Sequence, residues 1–176
     1  MISKDCRSDD IYDKALVFAV KNYGLQLRKD QKTPHLVHAL RVVEILKRVA
    51  EVRDDEILAA ALLHDILEES FVKYDQLKEA VGERVADWVA SLTEDKIMCK
   101  EDRKKKMLDN FPRLADEAKL IKLADRLDNL RDPWLLESGI KGRYIEECKT
   151  IIRESGKISK SLSDMIIERI EMISDV

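Results

Sequence analysis

The amino-acid sequence predicts an all-α fold, a helical bundle, for this chain of 176 residues. Hydrophobic residues make up 45% of the chain and charged residues 38%, a balance that is typical of long amphipathic helices. Glycine (5) and proline (3), which a turn-rich sheet protein needs in larger numbers, are scarce. No composition shift or Ser/Gly/Pro-rich linker divides the chain, so we expect residues 1–176 to form a single domain.

The first two predicted helices are bounded by caps and breakers. Asp9 or Asp10 is placed to cap a helix that runs to about Tyr23, where Gly24 ends it. A second helix starts at Pro34, because proline is favoured in the first turn of a helix.

A third helix is capped by Asp54, and its apolar spacing predicts that it continues through residues 64–69. Gly82 separates two short helices that follow it, and the breakers Asp132-Pro133 and Gly156 delimit the helices near the carboxyl end. These remaining helices are predicted over residues 74–81, 83–92, about 101–111, 116–130, 141–154 and 159–173.

Composition and charge exclude several classes of protein. The formal net charge of −3 provides no general attraction to nucleic acid or to anionic lipid. The longest apolar stretch, residues 57–63, is too short to cross a bilayer, and the first residues lack the apolar core of a signal peptide. The three cysteines form no Cys-x-x-Cys unit, which argues against a disulfide framework and fits a reducing compartment. We therefore expect a soluble, cytoplasmic protein.

Two histidines and two aspartates are predicted to share one site. His64 and Asp65 are adjacent in an apolar run, with His38 and Asp125 on apolar faces of helices before and after it. A buried carboxylate needs a partner, because an unpaired buried charge is costly. Two imidazoles and two carboxylates suit Mn, Fe, Co or Zn, with coordination positions left for water and substrate. We predict one divalent metal per chain, and a metal-dependent hydrolase.

Three sequence motifs surround these residues, and together they resemble one family. The motifs are Arg28-Lys29 with Pro34-His35-Leu36-Val37-His38, then residues 60–70 around His64-Asp65, and residues 123–131 around Asp125. Together they are similar to the HD superfamily of metal-dependent phosphohydrolases, specifically the hydrolase domain of RelA/SpoT proteins and the small alarmone hydrolases. Such domains are all-helical, bind Mn²⁺, and remove pyrophosphate from the 3′ position of guanosine tetra- and pentaphosphate. The resemblance implies that activity here, with Mn²⁺ as cofactor and a small-molecule nucleotide as partner.

The resemblance also implies residue roles. The two histidines and two aspartates would bind the metal, which lowers the pKa of a water molecule. Glu68 and Glu69, predicted one helical turn after His64-Asp65 on the same side, would organise or deprotonate that water. The resemblance implies that Arg28 packs against the purine and that Lys29 contacts phosphate. It also implies that Asn129 contacts the ribose-phosphate portion and that Tyr144 contacts the nucleotide.

Several residues depart from the family pattern. His35 replaces a tyrosine and Ala39 a proline. His35 is either an extra substrate contact or a surface residue at a helix start, and we favour the second interpretation. Glu69 replaces an aspartate and lengthens that side chain by one methylene. Asp128 replaces a common histidine, and Asp132 begins a turn that commonly contains threonine. These departures leave the exact substrate pocket open.

Two other functions use the same motifs. An HD-type nucleotidase acting on another nucleotide would need the same four ligands, and a non-catalytic module could retain the fold to bind a nucleotide. The Arg28-Lys29 pair and the stretch from Asn129 to Arg131 favour the alarmone substrate. Two-metal phosphodiesterases need further histidines after the His-Asp pair. Because no histidine follows His64, the sequence disfavours that class of enzyme. The nucleotide, the native metal and the oligomeric state stay open at this level.

Overall fold

The computed structural model describes residues 10–132, 139–155 and 158–174. Within these ranges the regular structure is helical, apart from an isolated β-bridge between Leu27 and Pro34, and the all-α prediction is confirmed. A 3₁₀ helix spans Phe111–Arg113. The helices are α1 (Ile11–Tyr23), α2 (His35–Val49), α3 (Asp55–Leu63), α4 (Ile66–Glu69), α5 (Tyr74–Val81), α6 (Glu83–Leu92), α7 (Lys100–Asn110), α8 (Asp116–Asn129), α9 (Lys141–Ser155) and α10 (Lys160–Ser174).

Helix α3 is the centre of the bundle. Its six residues from Leu58 to Leu63 are all at most 2% exposed, and it packs against α1, α2, α6 and α8. A helix that is apolar on every side is stable only when neighbours cover every side. Because α3 lies in the core, the residues that follow it, His64 and Asp65, are placed deep in the molecule.

Local capping explains several helix ends. The Asp10 carboxylate accepts a hydrogen bond from the Tyr12 N–H (3.0 Å), and Asp54 caps α3 in the same way. Gly24 takes a positive φ of 55° directly after α1, as a helix-ending glycine does. The predicted bounds of α5 and α6 are confirmed. Three predicted cap or breaker residues, Asp9, Pro133 and Gly156, lie outside the described residues.

The prediction of one continuous helix through residues 64–69 is wrong. Helix α3 ends at Leu63, and the separate turn α4 begins at Ile66. The Nδ1–H of His64 donates to the Ala61 carbonyl (2.8 Å), the acceptor that a continuing helix would offer to the amide of Asp65. The side chain thereby competes with the backbone, and the chain turns at Asp65 instead of continuing as a helix.

Within the described ranges, no helix combines the length and the apolar composition that crossing a bilayer requires.

Candidate metal centre and active site

Side chains from three parts of the bundle converge on one point: His38 on α2, His64 and Asp65 after α3, and Asp125 on α8. The Nε2 atoms of the two histidines are 3.2 Å apart. His38 Nε2 is 3.8 Å from Asp65 Oδ2 and 3.4 Å from Asp125 Oδ1. From His64 Nε2 the distances to the same oxygens are 3.3 and 3.8 Å. Ligand atoms bound about 2.1 Å from one ion are about 3.0 Å apart at right angles and about 4.2 Å apart when opposed. The ligand atoms of His38, His64 and Asp65 all lie within 4.8 Å of one another and fit a common metal ion. Asp125 Oδ1, within 3.8 Å of both histidine nitrogens, is the fourth candidate.

The two imidazole rings are oriented by hydrogen bonds at Nδ1. His64 donates from Nδ1 to the Ala61 carbonyl, and His38 Nδ1 lies 2.7 Å from a carboxylate oxygen of Asp128. With the ring proton on Nδ1, the lone pair of each neutral ring is on Nε2. Two lone pairs that face each other beside two carboxylates need a cation among them, and a divalent metal meets that need.

The electrostatics of the buried cluster favour a bound cation. Burial opposes the charged form of His64, but the carboxylates of Asp65 and Asp125 outweigh it and raise the pKa of His64 to about 9. Burial likewise disfavours the charged form of Asp65, yet His64 holds the pKa of Asp65 well below its usual range. A metal ion would take the place of that proton, so metal binding should release a proton and weaken at low pH.

The candidate metal centre lies beside a cavity of about 720 Å³, a volume in the range of small-molecule sites. His38, Asp65 and Asp125 line it directly. Lysine and arginine side chains form much of the remaining wall, interspersed with carboxylates such as Glu94. These cations are Arg28, Lys29, Lys96, Lys100, Arg103, Lys104, Lys122, Arg126 and Arg143.

Glu68 and Glu69, from α4, both line the cavity but have different partners. One Glu68 oxygen accepts the Glu94 amide (2.7 Å), and burial, followed by the charge of Asp65, raises the pKa of Glu68. Glu69 accepts a hydrogen bond from Lys96 (2.9 Å) through one oxygen. Glu68 therefore has a pKa shifted toward neutrality, and one oxygen of Glu69 is engaged by a lysine.

Arg28 and Asn129 form a network that reaches a metal-ligand candidate. The Arg28 guanidinium donates to Asp132 (2.7 Å) and to the side-chain oxygen of Asn129. The Asn129 amide donates in turn to Asp125 Oδ1 (2.7 Å). Asp132, one of the departures from the family pattern, thus holds the guanidinium of Arg28 in the cavity wall.

Lys29 and Tyr144, for which the resemblance also implies a nucleotide contact, line the cavity as well. Burial, together with nearby Lys100, lowers the pKa of Lys29. The guanidinium of Arg126 lies 4.7 Å from the ring centroid of Tyr144, so that ring packs against a buried cation within the cavity wall.

The structure corrects the interpretation of His35 as a surface residue. Its side chain is 13% exposed, lies in the cavity wall, and stacks on the Tyr23 ring with the centroids 6.3 Å apart. His35 is the first residue of α2 and Tyr23 the last of α1, so the contact between these two helix ends covers the His35 ring.

Sequence reasoning also missed Lys122. Its ammonium lies 3.2 Å from Asp125 Oδ2, and the residue is 8% exposed. The spacing of the two residues could have indicated this ion pair, because Lys122, three residues before Asp125, lies on the same face of an otherwise apolar helix.

The chain is similar to several known proteins. The HD domain family model matches residues 15–152. The chain is 36% identical over 129 residues to guanosine-3′,5′-bis(diphosphate) 3′-pyrophosphohydrolase MESH1 of Danio rerio, covering 73% of this chain and 72% of that protein. It is 39% identical over 120 residues to MESH1 of Drosophila melanogaster, covering 68% and 67%.

A solved structure shares the fold closely. It is described as a metazoan ortholog of SpoT that hydrolyzes ppGpp and plays a role in starvation responses. The superposition has a TM-score of 0.85 with 30% sequence identity, and covers 92% of this chain and 94% of that one. The family model spans most of the chain and agrees with these relatives. The chain therefore belongs to the HD domain family, as a hydrolase domain of the RelA/SpoT type.

Proposed function

We propose that this chain is a metal-dependent guanosine-3′,5′-bis(diphosphate) 3′-pyrophosphohydrolase, which converts guanosine tetra- or pentaphosphate to GDP or GTP and pyrophosphate. The observation that carries the proposal is the convergence of two imidazole nitrogens and two carboxylates beside a cavity whose wall carries lysine and arginine side chains among carboxylates. The relatives that bear the name of this activity, at 36% and 39% identity, support it.

We propose His38, His64, Asp65 and Asp125 as the ligands of one Mn²⁺ ion per chain. When bound, the metal would supply Lewis-acid activation of water and of a phosphate oxygen. The ligand residues set its position, since α2, α8 and the turn after α3 each contribute to the site. The ammonium of Lys122 balances part of the negative charge of Asp125.

Glu68 is proposed as the general base. As the water oxygen bonds to the phosphorus on the 3′ oxygen, the water proton passes to the Glu68 carboxylate. The bond from phosphorus to the 3′ oxygen breaks, the 3′ oxygen takes up a proton, and pyrophosphate leaves. The hydrogen bond from the Glu94 amide holds one Glu68 oxygen, and the other oxygen is the one proposed to accept the proton.

The cavity wall binds the nucleotide. We propose that Arg28 packs on the purine face and that Lys29 contacts phosphate. Asn129 and Tyr144 complete the nucleotide contacts, and the further cations of the wall balance the phosphate charge.

The first prediction concerns the products. Purified protein with Mn²⁺ should convert guanosine tetraphosphate to GDP and pyrophosphate in equal amounts, measured by anion-exchange chromatography. EDTA should stop the reaction. GTP, dNTPs, nucleoside monophosphates and NADPH serve as comparison substrates. Preferred turnover of a comparison substrate, or binding of guanosine tetraphosphate without turnover, would contradict the proposal.

The second prediction separates nucleotide binding from chemistry. Arg28→Ala should raise KM about tenfold and change kcat less, because a guanidinium stacked on a base contributes mainly to binding. Metal content should stay at the wild-type level. Arg153→Ala, at a side chain that is 72% exposed on α9, is the matched control and should leave KM unchanged. An Arg28→Ala enzyme with wild-type KM would show that Arg28 does not contact the nucleotide.

A further inference from the structure

We infer that Asp128 is a positioning residue for the metal site: its carboxylate holds the His38 imidazole in the tautomer and orientation that direct Nε2 to the metal. The inference rests on the proposed function, because it takes His38 as a ligand. Asp128 is one of the departures from the family pattern, and its carboxylate contacts the edge of the His38 ring that is remote from the other ligands.

The contact between Asp128 and His38 is short and buried. Asp128 Oδ2 lies 2.7 Å from His38 Nδ1, and both side chains are 1% exposed. An ionised carboxylate only accepts hydrogen bonds, so the ring proton must be on Nδ1. The lone pair is then on Nε2, the atom that faces His64 and the two candidate carboxylate ligands.

Arg41 holds the Asp128 carboxylate from the other side. Its Nε lies 2.9 Å from Asp128 Oδ1 and its Nη2 lies 2.9 Å from Oδ2, a two-point contact that fixes the plane of the carboxylate. On the same carboxylate, Asp128 Oδ2 also lies 3.8 Å from Arg28 Nη1. The charge of a carboxylate that is almost inaccessible to water is thereby balanced, and its direction toward His38 is fixed.

The two histidines differ in how they are supported. His64 is oriented by the backbone carbonyl of Ala61, which no side-chain substitution removes. His38 is oriented by a side chain from another helix, and that support can be removed. Loss of a hydrogen-bond partner behind a metal ligand typically weakens metal binding about 10- to 100-fold.

The test uses metal-free protein carrying Asp128→Asn or Asp128→Ala. In Asp128→Asn a single carbonyl oxygen would have to serve both Arg41 and His38, and in Asp128→Ala no acceptor remains. Asp116→Asn is the matched control, because Asp116 lies in the first turn of the same helix and its side chain is 77% exposed. The Kd for Mn²⁺ is measured by titration calorimetry. The absorption spectrum of bound Co²⁺ reports the ligand geometry without recourse to activity.

Both Asp128 variants should bind Mn²⁺ about 10- to 100-fold more weakly than wild type, with an altered Co²⁺ spectrum, and Asp116→Asn should match wild type. If circular dichroism shows that Asp128→Ala has lost helix, the Kd of Asp128→Asn decides. A wild-type Kd in a folded Asp128 variant overturns the inference, even when the metal-free Tm falls, because only a structural role would then remain. A wild-type protein that binds no Mn²⁺ refutes instead the metal site on which the proposed function depends.

Discussion

Asp65→Ala protein is expected to bind no Mn²⁺ and to show no measurable turnover, and His64→Ala should behave in the same way. Each change removes a candidate ligand from a cluster in which the two histidine nitrogens lie 3.2 Å apart and 3.3–3.8 Å from the carboxylate oxygens. Elemental analysis should find about one metal per chain in the wild type, as one set of four ligands requires. The control Asp116→Ala, on an exposed side chain, should keep the metal.

Thermal unfolding provides a second readout of the same change. A ligand present at 100 times its Kd stabilises the folded state by about 2.7 kcal/mol, which for a chain of this size raises Tm by about 5–10 °C. Mn²⁺ should therefore raise the Tm of the wild type and leave that of Asp65→Ala unchanged. Wild-type metal content in either ligand variant would refute the ligand assignment, and two metals per chain would refute a mononuclear site.

Glu68→Gln is expected to lower kcat about 10²- to 10⁴-fold while the metal stays bound. Glutamine keeps the size of the side chain and removes the proton acceptor. Glu69→Gln is the matched comparison and should lower kcat less than Glu68→Gln does, because the Glu69 carboxylate is already engaged by Lys96. Steady-state kinetics at saturating Mn²⁺, with metal content measured on the same samples, tests both variants.

The pH profile supplies an independent check on Glu68. Burial and the charge of Asp65 raise the pKa of Glu68, and a base acts only when it is deprotonated. At saturating Mn²⁺, activity should therefore fall as the pH drops through this raised pKa, at a higher pH than for an ordinary glutamate, and Glu68→Gln should lack that dependence. If Glu68→Gln and Glu69→Gln both retain near wild-type turnover, a substrate phosphate is the proton acceptor instead.

The sequence was sufficient to predict the helical architecture and most helix ends. The signals for these features are local: Asp10 and Asp54 cap within three residues, Gly24 ends α1, and Gly82 separates α5 from α6. The candidate ligands could also be selected from the sequence, because charged or imidazole side chains in apolar helix stretches need a partner. Their ligand role itself stays a prediction until metal binding is measured.

Only the tertiary structure decided how these residues are supported. Periodicity shows which face of a helix is buried but not which distant residue lies opposite, and Asp128 meets His38 across 90 positions of sequence. Periodicity likewise could not show that Asp132 contacts Arg28, 104 positions away. Nor could it show that His35 lines the cavity. The break after Leu63 depended on competition for one carbonyl between a side chain and the backbone, and the geometry of the folded chain determines that competition.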